Sequence, residues 1–351
     1  MNFRYSNNIV QEDLRRMATP ELCDALDNKT VMVAGATGML ATYITFFLCF
    51  LRNEYGVNVT IVALCRTKSK ADSLYAEFYR EEWFTLLLQD ICEPIRYEGN
   101  VDYIFHLAGN ASPYFIKNDP VGIVKSNLLG TFNILEFAKD RHIKNLLFAS
   151  TREVYGKNED KESLKETDFG TFDCLEPRAC YPESKRAAET ICQAYCLQHG
   201  VPFCAVRIAH SYGPGMNLRN DGRVMADLMS NAVDGKDIIL KSDGTAERAF
   251  CYITDAVSAM FLVLINGGKG KAYNIANETE PITIGDLAHR LAEISGVKVV
   301  FDIPQQQSNA YCNYRRSGLD CHEVAALGWN AMVSLEEGLM NTYEVHKSTD
   351  Q

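Results

Sequence analysis

Residues 31–43 read VMVAGATGMLATY, and that order decides the fold. Val31 to Ala34 form a short branched apolar run suited to a buried strand, and Gly35, Gly38 and Ala41 follow at Gly-x-x-Gly-x-x-Ala spacing as a helical stretch opens. Small residues there permit a tight turn and close approach of backbone to a ligand. The free amides and dipole of the following helix favour an anion such as a pyrophosphate. Gly35, Thr37, Gly38, Met39 and Leu40 are therefore the expected dinucleotide-binding residues. A purely structural turn is the competing reading, and the position directly after a strand favours binding.

Working outward, Thr30–Ala34, Val59–Leu64, Phe84–Leu88, Tyr103–Leu107, Leu146–Ala149 and Phe203–Ile208 read as strands alternating with helical stretches. That rhythm predicts an α/β fold, a Rossmann-type doubly wound parallel sheet covered on both faces, over residues 29–210. Residues 1–28, with Leu14, Met17, Leu22 and Leu26 at helical spacing, read as an N-terminal helical extension packed on it. From 211 to 351 the pattern loosens around Gly213, Pro214, Gly215, Gly222, Gly235 and Gly244. This stretch is expected to be mainly a smaller C-terminal substrate-binding lobe, with some return to the sheet.

The second strand ends in ALCRTKSKA, where Arg66, Lys68 and Lys70 stand in place of the usual ribose-binding carboxylate. A cation there suits the 2'-phosphate of NADP, and a solvated surface is the bland reading, so NAD is expected with NADP open. Asp90, next to Ile91 after the third strand, would accept a hydrogen bond from an adenine amine or cap its own loop.

The 351 residues are 47% hydrophobic with a formal charge of -10 and a pI near 5.3. A sizeable core is affordable in length, while phosphate-rich partners such as nucleic acid or an anionic membrane are disfavoured. Twelve scattered cysteines without zinc spacing predict reduced thiols and no metal. The opening residues lack an apolar signal core, and Met39–Leu51 is too short to span a bilayer, so a cytoplasmic protein with a buried helix is expected.

Tyr181 and Lys185, in YPESK, lie one helical turn apart. Ser150, Thr151, Arg152 and Glu153 end a strand some thirty residues earlier, at the edge where parallel sheets hold their active sites. A phenol is a weak base at neutral pH. A neighbouring ammonium and a nicotinamide cation would favour the phenolate, which could then exchange a hydroxyl proton during hydride transfer.

With GATGMLA, HLAGNASP from His106, Asn127-Leu-Leu-Gly-Thr131, ASTREVYG, YPESK, RIAHSYGP from Arg207 and ERAFCYITDA from Glu247, the chain resembles the extended short-chain dehydrogenase/reductase family. Those are the NAD-dependent epimerases, dehydratases and decarboxylases of nucleotide sugars. The stretches PRACYPESKRAAET and NDGRV most resemble UDP-glucuronate decarboxylases. The resemblance implies that Tyr181, Lys185, Thr151 and Glu153 are catalytic, with Thr151 on a sugar hydroxyl and Lys185 on the cofactor ribose. It also carries Leu107, Ala108, Gly109 and Asn127 to the cofactor, and implies a nucleotide-sugar substrate and a homodimer built from the helices holding Asn127 and Tyr181.

Two residues depart from the family. Arg152 stands where sugar dehydratases have an Asp that protonates the leaving hydroxyl, a role closed to a permanently charged guanidinium. It is suited instead to a carboxylate, or to turning outward or pairing with Glu153. His210 replaces an Asn beside the substrate. Arg223 and Arg248 are the expected grips on a nucleotide diphosphate and sugar acid, against a structural ion-pair reading. Arg315, Arg316 and Asp320 are looser candidates. The leading expectation is oxidation at sugar carbon 4 followed by decarboxylation. A 4-epimerase, an NADPH-dependent keto-sugar reductase, and a catalytically silent nucleotide-binding relative stand beside it.

Overall fold

A computed structural model describes residues 3–158, 161–303 and 318–347. Helices α1 (Asn8–Met17) and α2 (Pro20–Leu26) lead into β1 (Lys29–Ala34), α3 (Met39–Tyr55), β2 (Val59–Cys65), α4 (Lys68–Tyr75), β3 (Phe84–Leu88) and β4 (Tyr103–His106). Then come α5 (Pro113–Asn118), α6 (Pro120–Lys139), β5 (Asn145–Thr151), β6 (Ser163–Leu164), α7 (Cys180–His199), β7 (Phe203–Ile208) and β8 (Ser211–Tyr212). The remainder comprises α8 (Val224–Val233), β9 (Ile238–Leu240), β10 (Glu247–Arg248), β11 (Cys251–Tyr252), α9 (Ile253–Asn266), β12 (Lys271–Ile275), β13 (Ile282–Thr283), α10 (Ile284–Ser295), β14 (Val299–Phe301), β15 (Gly318–Leu319), α11 (His322–Ala325) and α12 (Leu335–Lys347).

Seven strands form one parallel sheet in the order β12-β7-β5-β4-β1-β2-β3. The chain winds outward from β1 to β3, then returns to lay β4 on the other side of β1. The loops after β1 and β4 therefore diverge at their C-terminal ends and leave a crevice there. On one face, Phe261 of α9 meets Phe47 of α3 at 5.0 Å and Phe105 of β4 at 4.9 Å, both edge-on. On the other, Ile134 and Leu135 of α6 and Ala188 and Cys192 of α7 pack against Ile104 and Leu146. The apolar run Ala41–Leu51 is buried throughout within α3, as a helix sandwiched between the sheet and its outer neighbours must be.

Six of these strands stand out as apolar runs in the sequence, and β12 does not. Its segment, KAYNI, holds the fully buried Asn274, whose side-chain amide donates to the carbonyls of Leu164 and Asp320 at 2.9 and 3.0 Å. A satisfied polar residue breaks an apolar run without breaking the strand. Thus α9 and β12 belong to the sheet layers, while β8–β11, β6–β15, β9–β14 and β10–β13 are two-stranded pairs beyond them.

Candidate active site

The turn between β1 and α3 is held by its own backbone. The amides of Gly35 and Ala36 both donate to Leu64 O at 3.0 Å, and Gly38 N donates to Gly35 O at 2.9 Å. The Ala36 carbonyl accepts from the hydroxyls of Thr42, at 3.2 Å, and Tyr75. Gly35 has φ +83°, and a Cβ there would lie 2.8 Å from Ala108 Cα, so the crossing of this turn under the β4 loop requires glycine. Gly38 caps α3 without a side-chain hydrogen bond, and the first turn, where Thr37 leads into Met39 and Leu40, contains no acidic residue. An uncapped, uncharged helix start aimed at the crevice suits a pyrophosphate.

Leu107, Ala108 and Gly109 follow β4 on the other wall, with Leu107 N bonded to Ala34 O at 3.0 Å. A Cβ on Gly109 would meet Asn127 Oδ1 at 2.6 Å and stand 3.5 Å from Lys185 Nζ. Asn127 is fully buried; its Nδ2 donates to Ser184 Oγ at 2.8 Å, Ser184 in turn donates to Tyr181 O, and the Asn127 Oδ1 has no partner among the described residues. An orphaned acceptor beside a glycine lining the crevice is a place for a ligand hydroxyl or amide. Thr131 Oγ1 donates to Asn127 O at 2.6 Å and lies 3.0 Å from His106 Nε2. Burial, helped by the Lys185 charge, pushes His106 down to about 3, so it is a neutral structural imidazole. The sequence reading missed the roles of Ser184, Thr131 and His106; the i, i+4 placing of Asn127 and Thr131 was the available signal.

Further out, Arg66 and Asp90 line a depression of about 580 Å³ with Thr67, Leu88, Glu93 and Arg96. Asp90 Oδ1 accepts from Cys92 N at 2.9 Å, so it caps its own loop at the edge of this depression. Ile91 is buried under Gly130. Lys68 is engaged by Asp72 at 2.8 Å on its own helix, which leaves Arg66 as the basic residue of that segment facing the depression.

At the centre, Tyr181 and Lys185 are 4% and 5% exposed on α7. Lys185 Nζ donates to Ala149 O at 2.7 Å and sits 4.7 Å from the Phe148 ring centroid; burial pushes it down to about 8. The Tyr181 hydroxyl is hydrogen-bonded to Thr151. Burial first, then the Glu153 carboxylate, holds its phenol above the usual range, with Thr151, Arg223 and Arg178 pulling the other way. Lys185 itself is turned to the Ala149 carbonyl. Glu153 is paired not with Arg152 but with Arg178, Nη2 to Oε1 at 2.6 Å, and its amide donates to Thr151 Oγ1 at 3.2 Å. Arg178 was overlooked in the sequence because a lone arginine two residues before a helix carries no distinguishing pattern.

The residues expected on the substrate side are brought together by strand register. Thr151 lies opposite Ile208, so Arg152 leaves β5 beside the segment that carries His210, and Cys251 N donates to His210 O at 3.3 Å. His210 adopts φ +46°, uncommon for a residue with a side chain, and its ring lies 5.7 Å from that of Phe250. Its Nε2 is buried without a partner among the described residues. Burial, then the charges of Arg152, Arg248 and Arg223, hold the imidazole well below its usual range. Arg223 is gripped by both oxygens of buried Asp221, at 2.5 and 2.9 Å, and Asp221 O accepts from Ser112 Oγ at 2.7 Å. Arg248 Nη1 donates to Glu247 O at 2.7 Å. Arg315 and Arg316 lie outside the described residues. Asp320, the third of that group, spends an oxygen on His322 N at 2.9 Å.

Residues 31–276 match the profile of the NAD dependent epimerase/dehydratase family. The chain belongs to that family. Among this family's curated members, UDP-glucuronic acid decarboxylase 1 of Xenopus tropicalis is 34% identical over 322 residues, covering 90% of this chain and 72% of its own. UDP-glucuronic acid decarboxylase 6 of Arabidopsis thaliana is 34% identical over 312 residues, 89% and 87% of the two chains. The crystal structure of UDP-glucose 4-epimerase from Thermotoga maritima, solved with UDP-glucose, superposes with a TM-score of 0.76 at 25% identity over 92% of this chain and all of its own. UDP-glucuronic acid 4-epimerase from Bacillus cereus, solved with NAD, shares the fold at a TM-score of 0.74 and 22% identity, covering 92% of this chain and 100% of its own. The epimerase/dehydratase family is NAD-dependent, and the Gly35–Gly38 turn, the bare start of α3 and the Gly109–Asn127 recess fit that cofactor. Among the described residues no cluster of His, Cys, Asp and Glu could hold a metal ion, and no helix is long and apolar enough to cross a membrane.

Proposed function

We propose that this chain is an NAD-dependent, UDP-glucuronate decarboxylase-like enzyme that oxidises carbon 4 of a nucleotide-linked uronic acid. The observation carrying this reading is the Tyr181–Thr151 hydrogen bond one helical turn from Lys185 at the Gly109–Asn127 recess, with the positive charges of Arg152, Arg248 and Arg223 bearing on His210. In a protein of net charge -10, three guanidinium charges bearing on one buried imidazole suit a polyanionic ligand. A nucleoside diphosphate and a sugar carboxylate together supply such a charge.

Held by these residues, NAD would supply the hydride acceptor for oxidation at carbon 4 and the donor for its reversal. Tyr181, as phenolate, takes the carbon 4 hydroxyl proton and later restores it, while Thr151 hydrogen-bonds the same oxygen. Lys185 and Asn127 hold the cofactor side, with Gly35, Thr37, Gly38, Met39, Leu40, Leu107, Ala108 and Gly109 around the phosphates, and Arg66, Asp90 and Ile91 towards the adenine end. A ketone at carbon 4 lies beta to the carboxylate. Breaking the bond to the carboxyl carbon then releases carbon dioxide and leaves the electron pair in an enolate, which takes a proton at carbon 5 before reduction. Glu153, positioned by Arg178, faces this sugar. In this reading residues 29–210 serve mainly the cofactor and 211–351 mainly the substrate. The enzyme is cytoplasmic and works as a homodimer through α6 and α7.

Incubation of the purified protein with NAD and UDP-glucuronate should yield a product lighter by about 44 mass units. Isomerised UDP-galacturonate without mass loss would identify a 4-epimerase instead. Turnover of neutral nucleotide sugars alone would overturn the uronate assignment. Tyr181→Phe should lower kcat by about 10²- to 10⁴-fold while NAD still binds.

A further inference from the structure

The N-terminal extension makes contacts that its sequence does not announce. Asp13, on α1, is 1% exposed, and its Oδ2 accepts hydrogen bonds from the hydroxyls of both Tyr43 and Tyr252, each at 2.8 Å. Tyr43 belongs to the second turn of α3, the helix whose bare start faces the cofactor crevice. Tyr252 ends β11, which pairs with β8 directly after His210, and lies four residues beyond Arg248. One carboxylate oxygen therefore joins the cofactor helix to the strand pair bearing the substrate-side residues.

Phe3 repeats the connection in apolar form. Its ring stacks on Tyr43 and packs on Phe46, both at 5.6 Å between centroids, and it also lies against the Gly215 turn, where a Cβ would come within 2.4 Å of the ring. Gly215 follows β8 by three residues. A third strut joins Arg16 to Glu337 of α12 at 2.7 Å. If the extension only covered apolar surface, a hydrophobic residue at position 13 would do so without the desolvation cost of a carboxylate, which burial pushes up to about 6. What a carboxylate adds is a fixed distance to two hydroxyls at once.

We infer that the N-terminal extension is a strap, with Asp13 as its positioning residue, that couples occupancy of the cofactor crevice to the geometry of the substrate side. Ordering α3 around NAD draws on Tyr43, and through Asp13 orders Tyr252 and the β8–β11 pair.

The test is a pair of calorimetric titrations on the full chain: UDP with and without saturating NAD, for the wild type, Asp13→Leu and Tyr252→Phe. The wild type should bind UDP at least about 5-fold more tightly with NAD present. Both variants should lose most of that factor while each ligand still binds alone. Tyr252→Phe removes one hydroxyl from the strap and serves if Asp13→Leu does not fold. The inference rests on the nucleotide-sugar reading only for its probe. If UDP binds under neither condition, that reading fails, and the strap is decided by amide exchange instead. NAD should slow exchange at residues 248–252 in the wild type and not in Tyr252→Phe. A lack of coupling in the wild type, or equal coupling in the variants, would overturn the strap.

Discussion

At residue scale, Lys185 shows how burial and function meet in one group. Its amine titrates at about 8, below the usual 10.5, because the fold penalises the ammonium. That penalty is complete below about pH 8 and gone above about 10.5, so in the cofactor-free protein this lysine makes stability rise with pH across that interval. NAD affinity should move the opposite way, weakening as pH rises through about 8 and the charge near the cofactor is lost; Lys185→Met should flatten that profile. A wild-type affinity constant from pH 7 to 9.5 would remove Lys185 from cofactor binding. Arg152 invites a different comparison. Arg152→Ser should raise KM for UDP-glucuronate about tenfold and leave binding of UDP unchanged, which separates a carboxylate contact from a diphosphate one. The spacing of Tyr181 and Lys185 and the cationic character of Arg152, Arg223 and Arg248 were legible in the sequence. The Glu153–Arg178 pair was not, because those residues are 25 apart and meet only when α7 is docked against the end of β5.

At the scale of elements, the turn from β1 to α3 bears the tightest constraint. Gly35 combines φ +83° with backbone of Ala108 where a Cβ would go, so relaxation must move β4's loop as well as the turn. Gly35→Ala should therefore cost roughly 1–3 kcal/mol in urea unfolding, and it should weaken NAD binding more than it weakens UDP binding. Equal loss for the two ligands would point to a general defect. This turn and its flanking strand were readable because a period-free apolar run followed by spaced glycines has few other uses. β12 was hidden by buried Asn274, and α1 showed its apolar stripe of Val10, Leu14 and Met17 but not what Asp13 does. The tyrosines bonded to Asp13 lie 30 and 239 residues away, and sequence periodicity reports only neighbours within an element.

Across the whole molecule, the two helices that cover one face of the sheet leave apolar side chains uncovered. Leu129 and Phe132 on α6 are 46% and 43% exposed, and Phe132 lies 6.2 Å from Tyr195 of α7 between ring centroids. Elsewhere on these helices Val121 and Leu197 are exposed as well. Under the proposed pairing, a second copy presenting the same face would bury these side chains around a two-fold axis. Because α7 also carries Tyr181 and Lys185, pairing would stiffen the catalytic helix from outside the site. Light scattering should therefore give twice the 39.4 kDa of one chain for the wild type. Phe132→Glu should shift the mass towards a single chain, since an interface core does not accommodate an unpaired carboxylate. The variant should lose several degrees in Tm and part of kcat, with KM less affected, as α7 loses its outer support. A wild type running as a single chain at micromolar concentration would refute the pairing and leave Leu129 and Phe132 to another partner.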